Sequence, residues 1–120
     1  MIPRHCEKNS VKFEAELGVM LKKGGRDIKQ EEWRDYVGGY FLALDYTDFN
    51  ELVSSRSSSL PWLLAKSQDN FLFLSDFIEE QSVQDPHNIE IELKVNDETK
   101  QKDLTGNMHF KIGEQIAYCS

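Results

Sequence analysis

The segment V-K-F-E-A-E-L-G-V-M-L-K, residues 11–22, constrains the fold most. Val11, Phe13, Ala15, Leu17, Val19 and Leu21 fall on one side of an extended chain, and Lys12, Glu14, Glu16, Gly18 and Met20 on the other. A period of two held this long predicts a β-strand with one face in a core. Glu14 and Glu16 then point the same way, their Cα atoms roughly 6.5–7 Å apart. Paired carboxylates repel unless something positive lies between them. A hard cation takes oxygen ligands at about 2.0–2.6 Å and can draw both glutamates in. A simply solvated face is the alternative.

The chain carries its own control. I-E-I-E-L-K-V, residues 89–95, repeats the alternation with Glu90 and Glu92, but its polar face continues to Lys94 and then to a turn at Asn96-Asp97. That strand reads as half-exposed. The polar face of the first strand instead runs into Gly18 and Met20, which predicts that it becomes covered.

The 120 residues suffice for one ordinary domain. A net charge of −7 without a basic cluster argues against nucleic acid and against an anionic membrane surface as partners. No apolar run is long enough to span a bilayer. Cys6 and Cys119 are too few for a disulfide framework and read as free thiols in a reducing compartment. Residues 1–10 show no apolar signal core and little arginine, so no clear targeting segment is expected there. His5, Cys6 and Glu7 could ligate a metal, but three adjacent residues on a terminal segment read as an ordinary terminus.

Further along, Lys23-Gly24-Gly25-Arg26 reads as a turn, without the spacing of a phosphate loop. Residues 30–37 predict a short helix, with Trp33, Tyr36 and Val37 on one face and Gly38-Gly39 as its stop. Residues 40–47, Y-F-L-A-L-D-Y-T, predict a buried strand. Asp45 is anomalous there, because an ionised carboxylate in an apolar run is costly without a partner. It is either a strand-end residue bonding a turn or a third oxygen ligand beside Glu14 and Glu16, a donor set suited to Mg²⁺, Mn²⁺ or Ca²⁺. Residues 51–59 read as a serine-rich loop. Lys66 closes L-P-W-L-L-A-K and either snorkels to solvent or presents a point charge to an anion. Residues 70–77 predict another strand, 79–88 a loop with His87 at the surface, 89–95 and 98–102 a hairpin, and 112–119 a helix weakened by Gly113.

Taken in order, F-E-A-E-L-G-V-M-L-K-K-G-G-R-D-I, D-Y-V-G-G-Y-F-L-A-L-D-Y-T, P-W-L-L-A-K-S and D-P-H-N-I-E-I-E-L-K-V-N resemble the fumarylacetoacetate hydrolase family. The resemblance is to its acylpyruvase and oxaloacetate decarboxylase/tautomerase branch. It covers residues 11–120, leaving 1–10 as a non-matching segment, and T-G-N-M-H-F with the helix after it fits the same pattern. It implies an α+β, mostly β fold: part of a mixed β roll with short helices, often dimeric. It implies that Glu14, Glu16 and Asp45 bind Mg²⁺ or Mn²⁺ and that Lys66 contacts a small 2-keto acid substrate. Such enzymes use the cation as a Lewis acid on the enolate formed as a C–C bond breaks, CO₂ leaves or a proton moves, with the lysine adding positive charge. A mitochondrial or cytoplasmic location goes with the branch.

The chain also departs from that pattern. Where the family has D-x-T-A-R-D-x-Q, this sequence has D-Y-T-D-F-N-E-L, which places Phe49 and Leu52 where substrate-facing arginine and glutamine stand. The family's histidine–glutamate lid has no counterpart in residues 1–10, and its T-G-T-P-x-G-V-G segment lies beyond residue 120. The expectation is a metal-dependent hydrolase or lyase with reduced activity. The alternative is a non-catalytic binding or oligomerisation module that keeps the metal site.

Overall fold

The computed structural model describes residue 6 and residues 10–120. His5 and Glu7 lie outside the described residues. The chain is α+β and mostly strand, as the sequence predicts. Strands β1 (Val11–Leu21), β2 (Val37–Asp48), β3 (Leu72–Leu74) and β4 (Ile78–Glu79) form one sheet in the order β1-β2-β3, with β4 also on β2. Strands β5 (Glu90–Val95) and β6 (Glu98–Leu104) form a separate antiparallel pair. Helices α1 (Phe49–Ser57), α2 (Leu63–Lys66) and α3 (Ile112–Cys119) are short. No helix among the described residues is long and apolar enough to cross a membrane.

Two compact units share these elements. The described residues of Met1–Glu16 and Ala43–Ser75 make the first, and Leu17–Leu42 with Asp76–Ser120 make the second.

The first unit holds the start of β1, the end of β2, β3, α1 and α2. Strand β3 runs antiparallel to β2, with Asp45 opposite Leu72 and Ala43 opposite Leu74. It is shorter than predicted: only three residues of the 70–77 run pair here, and Asn70 sits at φ 63° just before it. Phe71 and Ala65 are buried, while Phe13, expected in a core, is 38% exposed. Helix α1 spans Phe49–Ser57, so most of the 51–59 stretch expected to be a loop is helical. Asp48 caps the helix: its Oδ1 accepts from the Asn50 and Glu51 N–H groups at 3.1 and 3.3 Å. The serines bond back into the helix, Ser55 Oγ donating to Glu51 Oε1 at 3.2 Å and Ser57 Oγ to the Ser54 carbonyl at 2.8 Å.

The second unit is built on Val37, Tyr40 and Ile112, with Leu17, Val19, Trp33, Met108 and Ile116 packed against them. Here Leu17 and Val19 pack inward as the alternation of β1 predicts, whereas Leu21, on the same face, is 43% exposed. The opposite face is covered at Gly18, where an added Cβ would lie 2.0 Å from the Phe41 ring, but not at Met20, which is 46% exposed. The predicted helix at 30–37 is a 3₁₀ helix, Gln30–Asp35. Val37, Gly38 and Gly39 do not end a helix; they open β2. Gly39 is required there because a Cβ would meet the Ile78 carbonyl at 2.3 Å, so its absence lets β4 pair.

The hairpin forms as predicted. Asn96 and Asp97 both take positive φ, 49° and 65°, the turn that matches strand twist. Helix α3 also forms. Glu114 Oε2 accepts from the Lys111 N–H at 2.7 Å, and His87 Nε2 accepts from the Ile112 N–H at 3.2 Å. His87 is thus not a plain surface residue, since it also meets the Trp33 ring edge-on at 5.8 Å between centroids. Gly113, which weakens the helix on propensity, is the point where α3 touches the 3₁₀ helix: a Cβ would lie 2.7 Å from the Gln30 carbonyl.

Candidate metal and substrate site

The first unit gathers the four residues singled out from the sequence. Glu14 and Glu16 share a face of β1 because they are two residues apart. Asp45 comes from β2, which pairs with β1. One carboxylate oxygen from each of the three lies within 4.8 Å of the others. Two oxygens on opposite sides of a cation with bonds of about 2.4 Å would be about 4.8 Å apart. Three hard oxygen donors at this separation are of the kind and spacing that a hard divalent cation takes.

Lys66 enters from the last residue of α2. Its Nζ donates to Asp45 Oδ2 at 2.5 Å and to Glu14 Oε2 at 3.2 Å. Its side chain is 30% exposed, so the ammonium turns towards the carboxylates. The route to that position runs through α1 and α2. Asp48 starts α1, the Leu60 N–H returns to the Ser55 carbonyl at 2.9 Å, and the Trp62 carbonyl accepts from Ala65 and Lys66 at 3.0 and 3.1 Å. Ala65 is fully buried, so a larger side chain there would push Lys66 outward.

The electrostatics follow from this crowding. Partial loss of solvent pushes the Glu16 carboxyl above the usual glutamate value, repulsion from Asp45 and Glu14 pushes the same way, and Lys66 pulls it down. Burial opposes the charge on Lys66, yet its bonds to Asp45 and Glu14 outweigh that penalty and hold the ammonium above its ordinary pKa. The cluster is a concentrated negative site with one built-in positive charge.

Two residues beside the cluster were not singled out. Asp48 also accepts from Ser10 Oγ at 3.1 Å, and the Phe49 N–H bonds the Ser10 carbonyl at 2.9 Å, so it ties the start of β1 to α1. Burial raises the Asp48 pKa, but the bonds from Glu51, Ser10, Cys6 and Asn50 outweigh it and leave the carboxyl below its ordinary value. D-F-N-E, residues 48–51, is the cap signature that could have revealed this role. Thr47 is 4% exposed and its Oγ1 has no partner among the described residues. It shares a face of β2 with Asp45, a position legible only from the alternation.

Phe49 and Leu52 both lie on α1. Phe49 is 45% exposed, with Lys12 Nζ 6.0 Å from its ring centre. In the second unit an apolar groove of about 410 Å³ is lined by residues such as Val19, Ile28, Met108 and Ile116, with no carboxylate or cation in its wall. It has none of the chemistry of the cluster.

Comparison with known proteins points the same way. The profile described as fumarylacetoacetate (FAA) hydrolase C-terminal matches residues 1–120. The oxaloacetate tautomerase FAHD1, mitochondrial, of Arabidopsis thaliana is 41% identical over 112 residues, covering 93% of this chain and 50% of that protein. The mitochondrial oxaloacetate decarboxylase of Dictyostelium discoideum is 38% identical over 114 residues, covering 95% and 52%. The chain thus spans about half the length of these curated relatives. Fumarylpyruvate hydrolase from Pseudomonas aeruginosa, solved with Mn²⁺ and pyruvate, superposes with a TM-score of 0.92 at 26% identity, over 98% of this chain and 50% of that one. With the motifs, the fold and a match along its whole length in agreement, the chain belongs to the fumarylacetoacetate hydrolase family.

Proposed function

We propose that this chain carries the cation-binding part of a site that acts on small 2-keto acids, of the oxaloacetate tautomerase/decarboxylase or acylpyruvate hydrolase type. The observation that carries the reading is the convergence of Glu14, Glu16 and Asp45 within 4.8 Å, with Lys66 on two of them. The three carboxylates would hold Mg²⁺ or Mn²⁺, and Ca²⁺ suits the same oxygens. When bound, the cation supplies Lewis-acid polarisation of the keto oxygen. Lys66 would hold a positive charge near the cluster, able to offset negative charge that develops on the substrate. The start of β1 and the Asp48 cap set the spacing between the glutamates and α2. Relatives named for oxaloacetate chemistry, and a neighbour solved with Mn²⁺ and pyruvate, support the substrate class. A mitochondrial or cytoplasmic location and a homodimer go with the same reading; light scattering after size exclusion tests the dimer.

A second reading has its own observation. Phe49 and Leu52 put apolar side chains on α1 where the family resemblance implies arginine and glutamine. This favours a chain that keeps the cation but turns substrate over poorly, and so serves as a binding module. Assays with oxaloacetate and acetylpyruvate, with Mn²⁺ and with EDTA, separate the two. Metal-dependent turnover in the usual enzyme range of roughly 1–10³ s⁻¹ supports the enzyme. Mn²⁺ binding without turnover supports the module. No Mn²⁺ binding at all defeats both.

A further inference from the structure

The position of Lys66 carries more than a substrate contact. Its ammonium bridges two strands, bonding Asp45 Oδ2 on β2 and Glu14 Oε2 on β1. The lysines of the hairpin behave differently: Lys102 takes Glu90 at 2.9 Å and Lys94 takes Glu92 at 3.3 Å, each as a one-to-one surface pair. In the first unit one ammonium bonds two of three clustered carboxylates, which leaves the cluster a formal excess of two negative charges. Lys66 therefore already neutralises some of the oxygens that a divalent cation would need.

We propose that Lys66 is a built-in counter-cation. It holds Glu14 and Asp45 together when no divalent cation is bound, opposes the cation's entry, and is released by it to take up the anionic end of a 2-keto acid. The inference rests on the metal reading above and adds a coupling: the same ammonium weakens the cation and favours the anion. The chemistry of lysine suits this role. Its ammonium is a compact charge on a flexible four-carbon stem, able to swing from one acceptor to another without rearranging the backbone. Lys66 is the last residue of a four-residue helix, so only its own stem need move. A bound dication and the ammonium would repel at short range, and the negative charge of an arriving carboxylate would offset that repulsion. By reciprocity the anion also tightens the cation.

The test is a pair of affinities that move in opposite directions. Mn²⁺ binding to the full chain is followed by calorimetry or by loss of the free-ion EPR signal, in parallel for the parent, Lys66→Met and Lys66→Arg. Removing one positive charge on the order of 5 Å from a dication, in a water-like medium with physiological salt, should tighten Mn²⁺ roughly five- to fifteenfold. Lys66→Arg keeps the charge and should stay near the parent. Oxalate binding to the Mn²⁺-loaded proteins should weaken at least about tenfold in Lys66→Met, the effect of losing one charge-assisted contact. Lys66→Gln, also neutral but polar, repeats both measurements should the methionine variant misfold. Mn²⁺ held equally or more weakly by the neutral variants overturns the inference and leaves the metal site standing. Mn²⁺ held by none of the proteins overturns the metal reading and the inference together.

Discussion

The same short pattern, glutamate–x–glutamate on an alternating strand, occurs twice in this molecule with opposite outcomes. On β5, Glu90 and Glu92 are exposed and face lysines of their own hairpin, and Thr99 Oγ1 donates to Glu92 at 2.8 Å. Those bonds, the Thr99 hydroxyl first, hold the Glu92 carboxyl below its ordinary value. On β1, Glu14 and Glu16 face Asp45, and crowding moves Glu16 the other way. A strand pattern therefore fixes only which way two carboxylates point. The neighbours decide whether the pair becomes a solvated charge ladder or a concentrated anionic site. Asp45, costly in an apolar strand, and Lys66, distant in sequence, make that decision here.

The comparison breaks most directly on metal affinity. If the proposed site binds the ion, Glu14→Gln with Glu16→Gln should weaken Mn²⁺ binding on the order of a hundredfold, since two of its three proposed charged oxygen ligands are lost. Glu90→Gln with Glu92→Gln should leave it within about twofold, as expected of substitutions outside a site. Equal losses from the two double variants would show that bulk negative charge, not the cluster, attracts the ion.

The next effect concerns the polar face of each strand beyond its glutamates. Gly18 lies under the Phe41 ring, whereas Lys94 is exposed. Gly18→Ala forces that ring to move and should cost about 1–3 kcal/mol in urea denaturation, the range for overpacking. Lys94→Ala should shift the midpoint little. An unchanged midpoint in Gly18→Ala would mean that the polar face of β1 is no better covered than that of β5.

A smaller effect separates the supports of the two pairs. The β1 cluster depends on α1 and α2, and thus on the Asp48 cap. Asp48→Ala should cost about 1 kcal/mol, within the 0.5–2 range for a lost cap. The contribution of Asp48 also has a definite pH dependence. Its folded pKa lies below the unfolded one, so its stabilisation is complete above the ordinary aspartate value, near 3.9, and is lost as pH falls through the lower folded value. The parent should lose stability across that acid window more steeply than Asp48→Asn, as acid titration followed by circular dichroism can show.

The smallest effect is a difference in titration between the two strands. In EDTA, carboxyl NMR should place Glu16 above and Glu92 below the usual glutamate range. The linkage signs are then opposite. Ionised Glu16 works against the metal-free fold, so its penalty is absent at low pH and appears as pH rises through the raised value. Ionised Glu92 supports the hairpin, and that support is lost as pH falls through the lowered value. Coincident titration curves would remove this distinction.

Much of this arrangement was legible in the sequence because it rests on local rules. The alternation of β1, the anomaly of Asp45 in an apolar run and the Asn96-Asp97 turn are short-range signals. Helix α1 was missed because E-L-V-S-S-R-S-S-S has almost no apolar periodicity; the Asp48 cap and the serine hydroxyls support it instead. Gly38 and Gly39 are ambiguous in the sequence because a glycine pair marks a helix end and a close strand approach equally well; for Gly39 the approach is by Phe77 and Ile78, about forty residues later in the sequence. Likewise, no spacing rule places Lys66 on Glu14 and Asp45. That contact is set by where α1 and α2 lead the chain.

Strand β3 has a consequence for handling the protein. Leu72, Phe73 and Leu74 are 60%, 46% and 52% exposed on a strand at the margin of the sheet. Such a segment is a template on which further chains can stack into ordered aggregates. At neutral pH a net charge of −7 opposes such stacking by mutual repulsion. Shelf life should therefore be shortest near pH 4.9, where the net charge vanishes, and should fall with added salt even at neutral pH. A lysine in place of Phe73 would guard that margin directly, without relying on the long-range field.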